Sequence, residues 1–218
     1  MSSTMPIQKQ TKRKYDSSRR KAQALETHQQ ILVSAENLFT SKGYAGTSIE
    51  SIAQKASVAP ETIYATFKNK QTILSKLIKT SILGDDDNPV PLMLREQIRE
   101  VAEERNQKRQ IQLFAKRIQV LMSRIAQLLE VMKSASKTEP EIKRLLKKYV
   151  DGRFQGMGFF IDCVTANGAL RVNKLTATET VWLLTSAEVY NLLTIERGWS
   201  GEEYEMWLSQ TLEDFLLQ

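Results

Sequence analysis

Thr47-Ser48-Ile49-Glu50-Ser51-Ile52-Ala53-Gln54-Lys55-Ala56-Ser57-Val58-Ala59-Pro60-Glu61-Thr62-Ile63-Tyr64-Ala65-Thr66-Phe67 holds two short amphipathic stretches on either side of a tight turn. Thr47 and Glu50 have the spacing of a capping box, in which a hydroxyl accepts an amide proton and the carboxylate reaches back. A helix is predicted from there to about Lys55. Ser57-Val58-Ala59 makes the turn, and Pro60 stands where a first-turn proline is tolerated. A second short helix runs to Phe67. Small Ala53 and Ala56 let the two helices approach closely. Ile49, Ile52, Val58, Ile63 and Phe67 face a common core, which leaves Pro60, Glu61, Thr62, Tyr64, Thr66 and Lys68 turned away from it. This is the pattern of a helix-turn-helix, whose second helix enters the major groove of DNA.

Upstream, Leu25, Ile31, Leu32, Ala35, Leu38 and Phe39 mark a helix from Ser17 to Gly43, with Gly43 at the left-handed end position. Downstream, Asn69 caps a helix from Lys70 to about Leu83, and Gly84 to Pro91 break it. Beyond this the pattern is helical throughout. Ile111, Phe114, Ile118, Leu121, Ile125, Leu128 and Met132 step by three and four along one long helix. Capping-box spacings at Thr138/Glu141, Thr176/Glu179 and Ser200/Glu203 open three more, the second of them predicted to run to Arg197. The expected fold is all-α: a three-helix helix-turn-helix head on a C-terminal helical domain for dimerisation and ligand binding. The expected divisions are a flexible basic arm at 1–16, a DNA-binding domain with its connecting helix at 17–83, and a regulatory and dimerisation domain at 84–218.

Charge supports this division. Residues 1–79 hold 13 Lys+Arg against 5 Asp+Glu, whereas the other 139 residues are nearly balanced, with 18 against 20. A basic head on a near-neutral body points to a polyanionic partner at one end. Cys163 and His28 are the single cysteine and histidine, so no intrachain disulfide is possible and no Cys/His zinc site is expected. No cofactor is expected. A polar, basic start without an apolar core reads as no secretory signal, and no apolar run is long enough to span a membrane. The expected location is the cytoplasm.

The run Ile31-Leu32, Ala35, Leu38-Phe39, Gly43-Tyr44, Thr47-Ser48, Ile52-Ala53, Val58, Thr62-Ile63-Tyr64, Phe67-Lys68-Asn69-Lys70 and Leu74 resembles the head of the tetracycline-repressor (TetR) family over about 50 residues. Trp182, Ser186, Glu188-Val189-Tyr190, Arg197-Gly198-Trp199-Ser200 and Tyr204 through Trp207-Leu208 resemble the family more loosely. The resemblance implies a one-component regulator, a repressor by family default, that binds a palindromic operator in double-stranded DNA as a homodimer and is released by a small-molecule effector. It places Thr47 and Ser48 on phosphates, and Pro60, Glu61, Thr62 and Thr66 toward the groove. Tyr64 and Lys70 fall on phosphate-binding positions. His28 stands where an arginine is frequent. Glu61 departs too: its carboxylate repels phosphate, and either accepts from a cytosine amino group or simply favours the helix N-terminus. In the arm, Arg13 is the candidate for a minor groove, while the neighbouring lysines suit nonspecific attraction to phosphate.

In the C-terminal region, Trp182, Val189, Tyr190, Leu193, Trp207, Leu208, Leu212 and Phe215 are candidates for a four-helix dimer interface, with ordinary intrachain core as the alternative for any one of them. Phe114, Arg117, Met122, Tyr149, Met157 and Phe160 are candidates for a ligand pocket, with plain core packing as the commoner role of such a stripe. Arg117 and Arg153, near these helices, are either contacts for an anionic effector or ordinary surface residues. Asp85, Asp86 and Asp87 read as a solvated loop or a cation site, and Cys163 as an inert thiol or an oxidant sensor. Catalysis is not expected, because a nucleophile–histidine set would need His28, which lies in the basic head, and no phosphate-binding glycine loop occurs. A DNA-binding role in chromosome organisation or division control remains an alternative on the same fold. A degenerate member that binds only protein is disfavoured by Thr47, Tyr64 and Lys70.

Overall fold

The computed structural model describes residues 17–83 and 96–218. Arg13, the basic arm and the Asp85–Asp87 loop lie outside the described residues. The elements are α1 (Ser17–Lys42), α2 (Ile49–Ala56), α3 (Pro60–Phe67), α4 (Lys70–Leu83), α5 (Glu96–Glu103), α6 (Gln107–Ala135), α7 (Pro140–Thr165), α8 (Lys174–Leu184), α9 (Ala187–Asn191), one π-helical turn (Leu192–Glu196) and α10 (Gly201–Leu216). The described residues contain no strand.

α1 to α3 close around Ile31, Ala35, Phe39, Ile52 and Ile63, and α4 adds Ile73 and Leu74; all of these are buried. The connections follow from local chemistry. Gly43 takes φ +73° after α1, and Ser57 takes φ 55° in the turn between α2 and α3. A side chain on Gly46 would meet the Lys42 carbonyl oxygen at 2.4 Å, so only glycine fits that bend. Asn69 Oδ1 accepts the Thr72 amide at 2.8 Å and opens α4.

Three helix starts and one helix body differ from the sequence pattern. The cap of α2 is Ser48, not Thr47: the Ser51 amide donates to Ser48 Oγ and the Ser48 amide to Ser51 Oγ, both at 3.1 Å. Thr47 is buried, and its hydroxyl instead donates to the Gly43 carbonyl at 2.9 Å. Glu50 still serves this helix start, since its own amide and the Ser48 hydroxyl hold its carboxyl below the usual range. α7 begins behind Glu139, which makes no side-chain cap; its carboxylate accepts from the Tyr44 hydroxyl instead. The helix expected from Thr176 to Arg197 starts earlier, under the Asn173 cap, and breaks at Thr185. There the Thr185 hydroxyl turns back to the Val181 carbonyl at 2.7 Å, and Ser186 caps a new helix. The Ser200–Glu203 capping box of α10 forms as its spacing suggests.

α6 is the axis of the larger part. α10 lies along it, and Glu213, though largely buried, is met by Lys108 Nζ at 3.1 Å and Gln112 Nε2 at 3.1 Å. Fully buried Gln110 donates to the Val101 carbonyl and accepts from Asn167, joining α5, α6 and the end of α7. Buried polar groups satisfied in this way fix which helices meet.

Ser48→Ala should lower stability by about 1 kcal/mol, the usual worth of an N-cap. Thr138→Ala should cost much less, because that hydroxyl makes only a 3.4 Å contact with the Ala135 carbonyl. Urea unfolding of both variants checks this. His28, whose ring packs tilted against Phe67 with centres 4.6 Å apart, has its pKa pushed down by burial and by Lys76. The unfolded chain therefore binds this proton more readily. The associated stability is present above the ordinary histidine range and is lost as pH falls through it. His28→Phe should remove that acid-side loss, measured as melting temperature between pH 7.5 and 5.

Candidate nucleic-acid interface

The head presents α3 by one edge. Ile63 and Phe67 are four residues apart and buried, so they fasten α3 to the core. The opposite face carries Glu61, Tyr64, Thr66 and Lys68, all exposed, with Pro60 and Thr62 half-buried at its start. Tyr64 is 49% exposed and looks outward. The Thr66 hydroxyl donates to the Thr62 carbonyl at 2.7 Å, so its oxygen is left to accept. Ser48, exposed at the start of α2, belongs to the same head, and exposed Lys55 closes α2. Lys55 was not singled out in the sequence, where a lone lysine at a helix end has an ordinary role with the helix dipole.

Thr47 and Lys70 have inward roles. Lys70 Nζ donates to the carbonyl oxygens of Tyr44 and Thr47, 2.8 Å each, and sits 4.2 Å from the centre of the Tyr44 ring. Burial pushes its pKa down. Its ammonium thus ties the start of α4 to the turn before α2. The Tyr44 hydroxyl continues the link by donating to Glu139 Oε1 at 3.1 Å, at the start of α7. Burial and the Glu139 charge push the Tyr44 phenol up, so it stays protonated and keeps that bond. Tyr44 is the residue that sequence reasoning passed over in this role; nothing local reveals a partner 95 positions away.

The C-terminal candidates separate into groups. Leu208 and Leu212 are fully buried and Tyr190 nearly so, packed within the chain's own core, so they support the helical hairpin from inside. Trp182, Val189, Leu193, Trp207 and Phe215 are half-buried. Leu175, Leu183, Leu192, Ile195 and Met206 are exposed on the same elements. Of the pocket candidates, Phe114 and Phe160 stack on each other with centres 3.7 Å apart and fill the space between α6 and α7. Met157 is buried, Tyr149 half-buried, and Arg117 pairs with Glu100 at the surface. Met122 lines a cleft of about 360 Å³ between α1, α6 and α9, to which Glu36, Asn37 and Asn191 also contribute. Cys163 is half-buried, and burial with Asp162 nearby pushes its thiol up, which disfavours the reactive thiolate. Among the described residues no group of three or more His, Cys, Asp and Glu side chains is arranged to hold a metal ion.

Residues 31–77 match the model of the bacterial regulatory proteins of the tetR family. The chain is 42% identical over 52 residues to YvkB of Bacillus subtilis, an uncharacterized HTH-type transcriptional regulator, a stretch that covers 24% of this chain and 28% of YvkB. It is 40% identical over 60 residues to the transposon Tn10 TetC protein of Escherichia coli, covering 28% and 30% of the two chains. The chain thus matches under a third of the length of these curated relatives. Among solved structures, one named as a transcriptional regulator from Saccharomonospora viridis in complex with choline superposes with TM-score 0.69 at 19% identity, covering 89% of this chain and 99% of that one. FadR of Bacillus subtilis in complex with stearoyl-CoA superposes with TM-score 0.62 at 17% identity, covering 85% and 97%. The likeness in fold therefore extends over nearly the whole chain, while the likeness in sequence is concentrated in the head built around α2 and α3. On these grounds residues 31–77 form the head found in the bacterial regulatory proteins of the tetR family, carried on a chain whose fold is like that of these solved structures.

Proposed function

We propose that this chain is a sequence-specific DNA-binding regulator of transcription, a repressor that works as a homodimer and is released by a small-molecule effector. The observation that carries the reading is the exposed edge of α3, with Glu61, Tyr64, Thr66 and Lys68 outward while Ile63 and Phe67 anchor it. Residues 17–83 are read as the DNA-binding part and 84–218 as the regulatory and dimerising part. Thr62, Thr66 and Glu61 face base edges, and Ser48, Tyr64 and Lys68 face phosphates. Lys70 and Thr47 act from behind, by holding the turn that aims α2. Two heads at fixed separation read a palindromic operator. The exposed apolar residues of α8 to α10 supply the surface for the second copy, flanked by Trp182, Val189, Leu193, Trp207 and Phe215. No helix among the described residues is long and apolar enough to cross a membrane; the regulator proposed here meets its DNA in the cytoplasm. An effector that prefers a conformation with wrongly spaced heads weakens DNA binding by its differential affinity for the two states.

Binding of the purified protein to DNA flanking its own gene, with unrelated DNA as control and across a salt series, tests the reading. Tight binding to the flanking fragment alone is expected. Equal, salt-sensitive binding to both fragments would refute a local regulator. Lys68→Ala should weaken binding to both fragments and reduce the slope of log affinity against log salt by about 1. Thr62→Ala should instead narrow the gap between them. Leu183→Glu, at a side chain 56% exposed, should shift sedimentation toward the monomer while the fold survives. Operator affinity should fall with it.

A further inference from the structure

α7 carries Arg153 inward, and two of its three guanidinium nitrogens find no acceptor among the described residues. Nε and Nη2 are both out of solvent and have no hydrogen-bond partner among the described residues. The guanidinium lies over the Trp182 ring, 4.9 Å from its centre. Trp182 Nε1 is likewise buried without an acceptor. Two side chains in contact, one from α7 and one from α8, thus bury donor groups of one kind and nothing that accepts from them. Buried polar groups are nearly always paired, because an unmade hydrogen bond in the interior is costly. The chain's own carboxylates do not close the set. Glu188 lies near enough to favour the positive charge, but its side chain is engaged by Lys133. Tyr149 and Tyr204 are the other polar neighbours, and the Tyr204 hydroxyl donates to the Leu184 carbonyl.

We propose that Arg153 and Trp182 form the anion-binding end of an effector site, and that the effector is a small organic carboxylate with an apolar body. A guanidinium presents a planar fork that matches a carboxylate, and the indole N–H adds a donor beside it. The apolar body is served by the Trp182 ring and by Phe154, which meets that ring edge-on at 6.4 Å. The donors are already closed off within one chain, so the side chain of a second copy laid on the outside does not reach them. The acceptor has to enter between α7 and α8. The wall there is suited to yield, because α8 ends at Leu184, two residues past Trp182, and the chain restarts under a new cap at Ser186. This inference rests on reading residues 84–218 as the regulatory part.

The test uses the full-length protein without DNA. Octanoate, octanol, octyltrimethylammonium and inorganic phosphate are titrated by calorimetry and by thermal unfolding. Octanoate should bind at least tenfold more tightly than octanol or the ammonium compound, about what hydrogen bonds to a charged partner contribute, and should raise the melting temperature. Arg153→Met should bring octanoate and octanol within about twofold of each other. It should also melt higher than the wild type without ligand, since it removes a buried charge that lacks a partner. Trp182→Phe keeps the ring and removes the donor, and should weaken octanoate severalfold while leaving octanol unchanged. The proposal is overturned if octanol binds as well as octanoate, if phosphate matches octanoate at equal concentration, or if Arg153→Met melts lower than the wild type. Octanoate that binds through Arg153 yet leaves operator affinity unchanged would keep the site and refute release by this effector.

Discussion

The ammonium of Lys70 is the contact on which the head's geometry depends. It bridges two carbonyl oxygens, those of Tyr44 and Thr47, in the turn that leads into α2. The turn itself is tight enough to require glycine at position 46. Fixing it fixes where Ser48 caps α2, and α2 in turn packs on α3 within a shared core that includes Ile52, Ala53, Ile63 and Phe67. The same Lys70 begins α4, so the element that leaves the head is held to the turn that aims it. Tyr44 then extends the link through its hydroxyl to Glu139 at the start of α7. A shift of α7 against the head therefore has a direct polar route to the turn before α2, in addition to the packing of α4 and α1 against α6.

Much of the head was legible in the residues because its signals are local. Gly43, Pro60 and Asn69 each act within a few positions, and α3 and α4 run between the residues that the pattern marks. The cap of α2 was misread by one residue for a physical reason. Thr47 and Ser48 are both good caps, and only burial of Thr47 under the α1–α2 turn decides between them. The break in the chain between α8 and α9 was also hidden. Ser186 and the apolar residues around it continue a helical period, while the turning of the Thr185 hydroxyl onto Val181 is a choice among equivalent local bonds. The inward role of Lys70 depends on carbonyls 23 and 26 positions away, which periodicity cannot reveal.

The C-terminal candidates show the limit of pattern reading most clearly. An apolar stripe says that a residue is covered, but not by what. Leu208 and Leu212 are covered by their own chain, whereas Leu183 and Leu192 on neighbouring elements are not. Phe114 and Phe160, open in the sequence to either cavity lining or plain core packing, stack on each other, as two flat rings facing across a helix pair fill the gap they border. Arg153 is the reverse case: the sequence leaves it either a surface residue or a contact for an anion, and the fold buries two of its donors without acceptors.

The self-sufficient core of the α6–α10 pair bears on how such a regulator responds to its own abundance. Tyr204, Leu208, Leu212 and Leu216 are fully buried within one chain, and Glu213 is neutralised there by Lys108. A single copy therefore buries this part of its core without help from another. In the homodimer proposed above, the population of paired heads rises with the square of copy number when copies are few. A cell that makes slightly too little of this protein would lose occupancy of a two-headed site more than in proportion, and a modest rise in synthesis would restore it steeply.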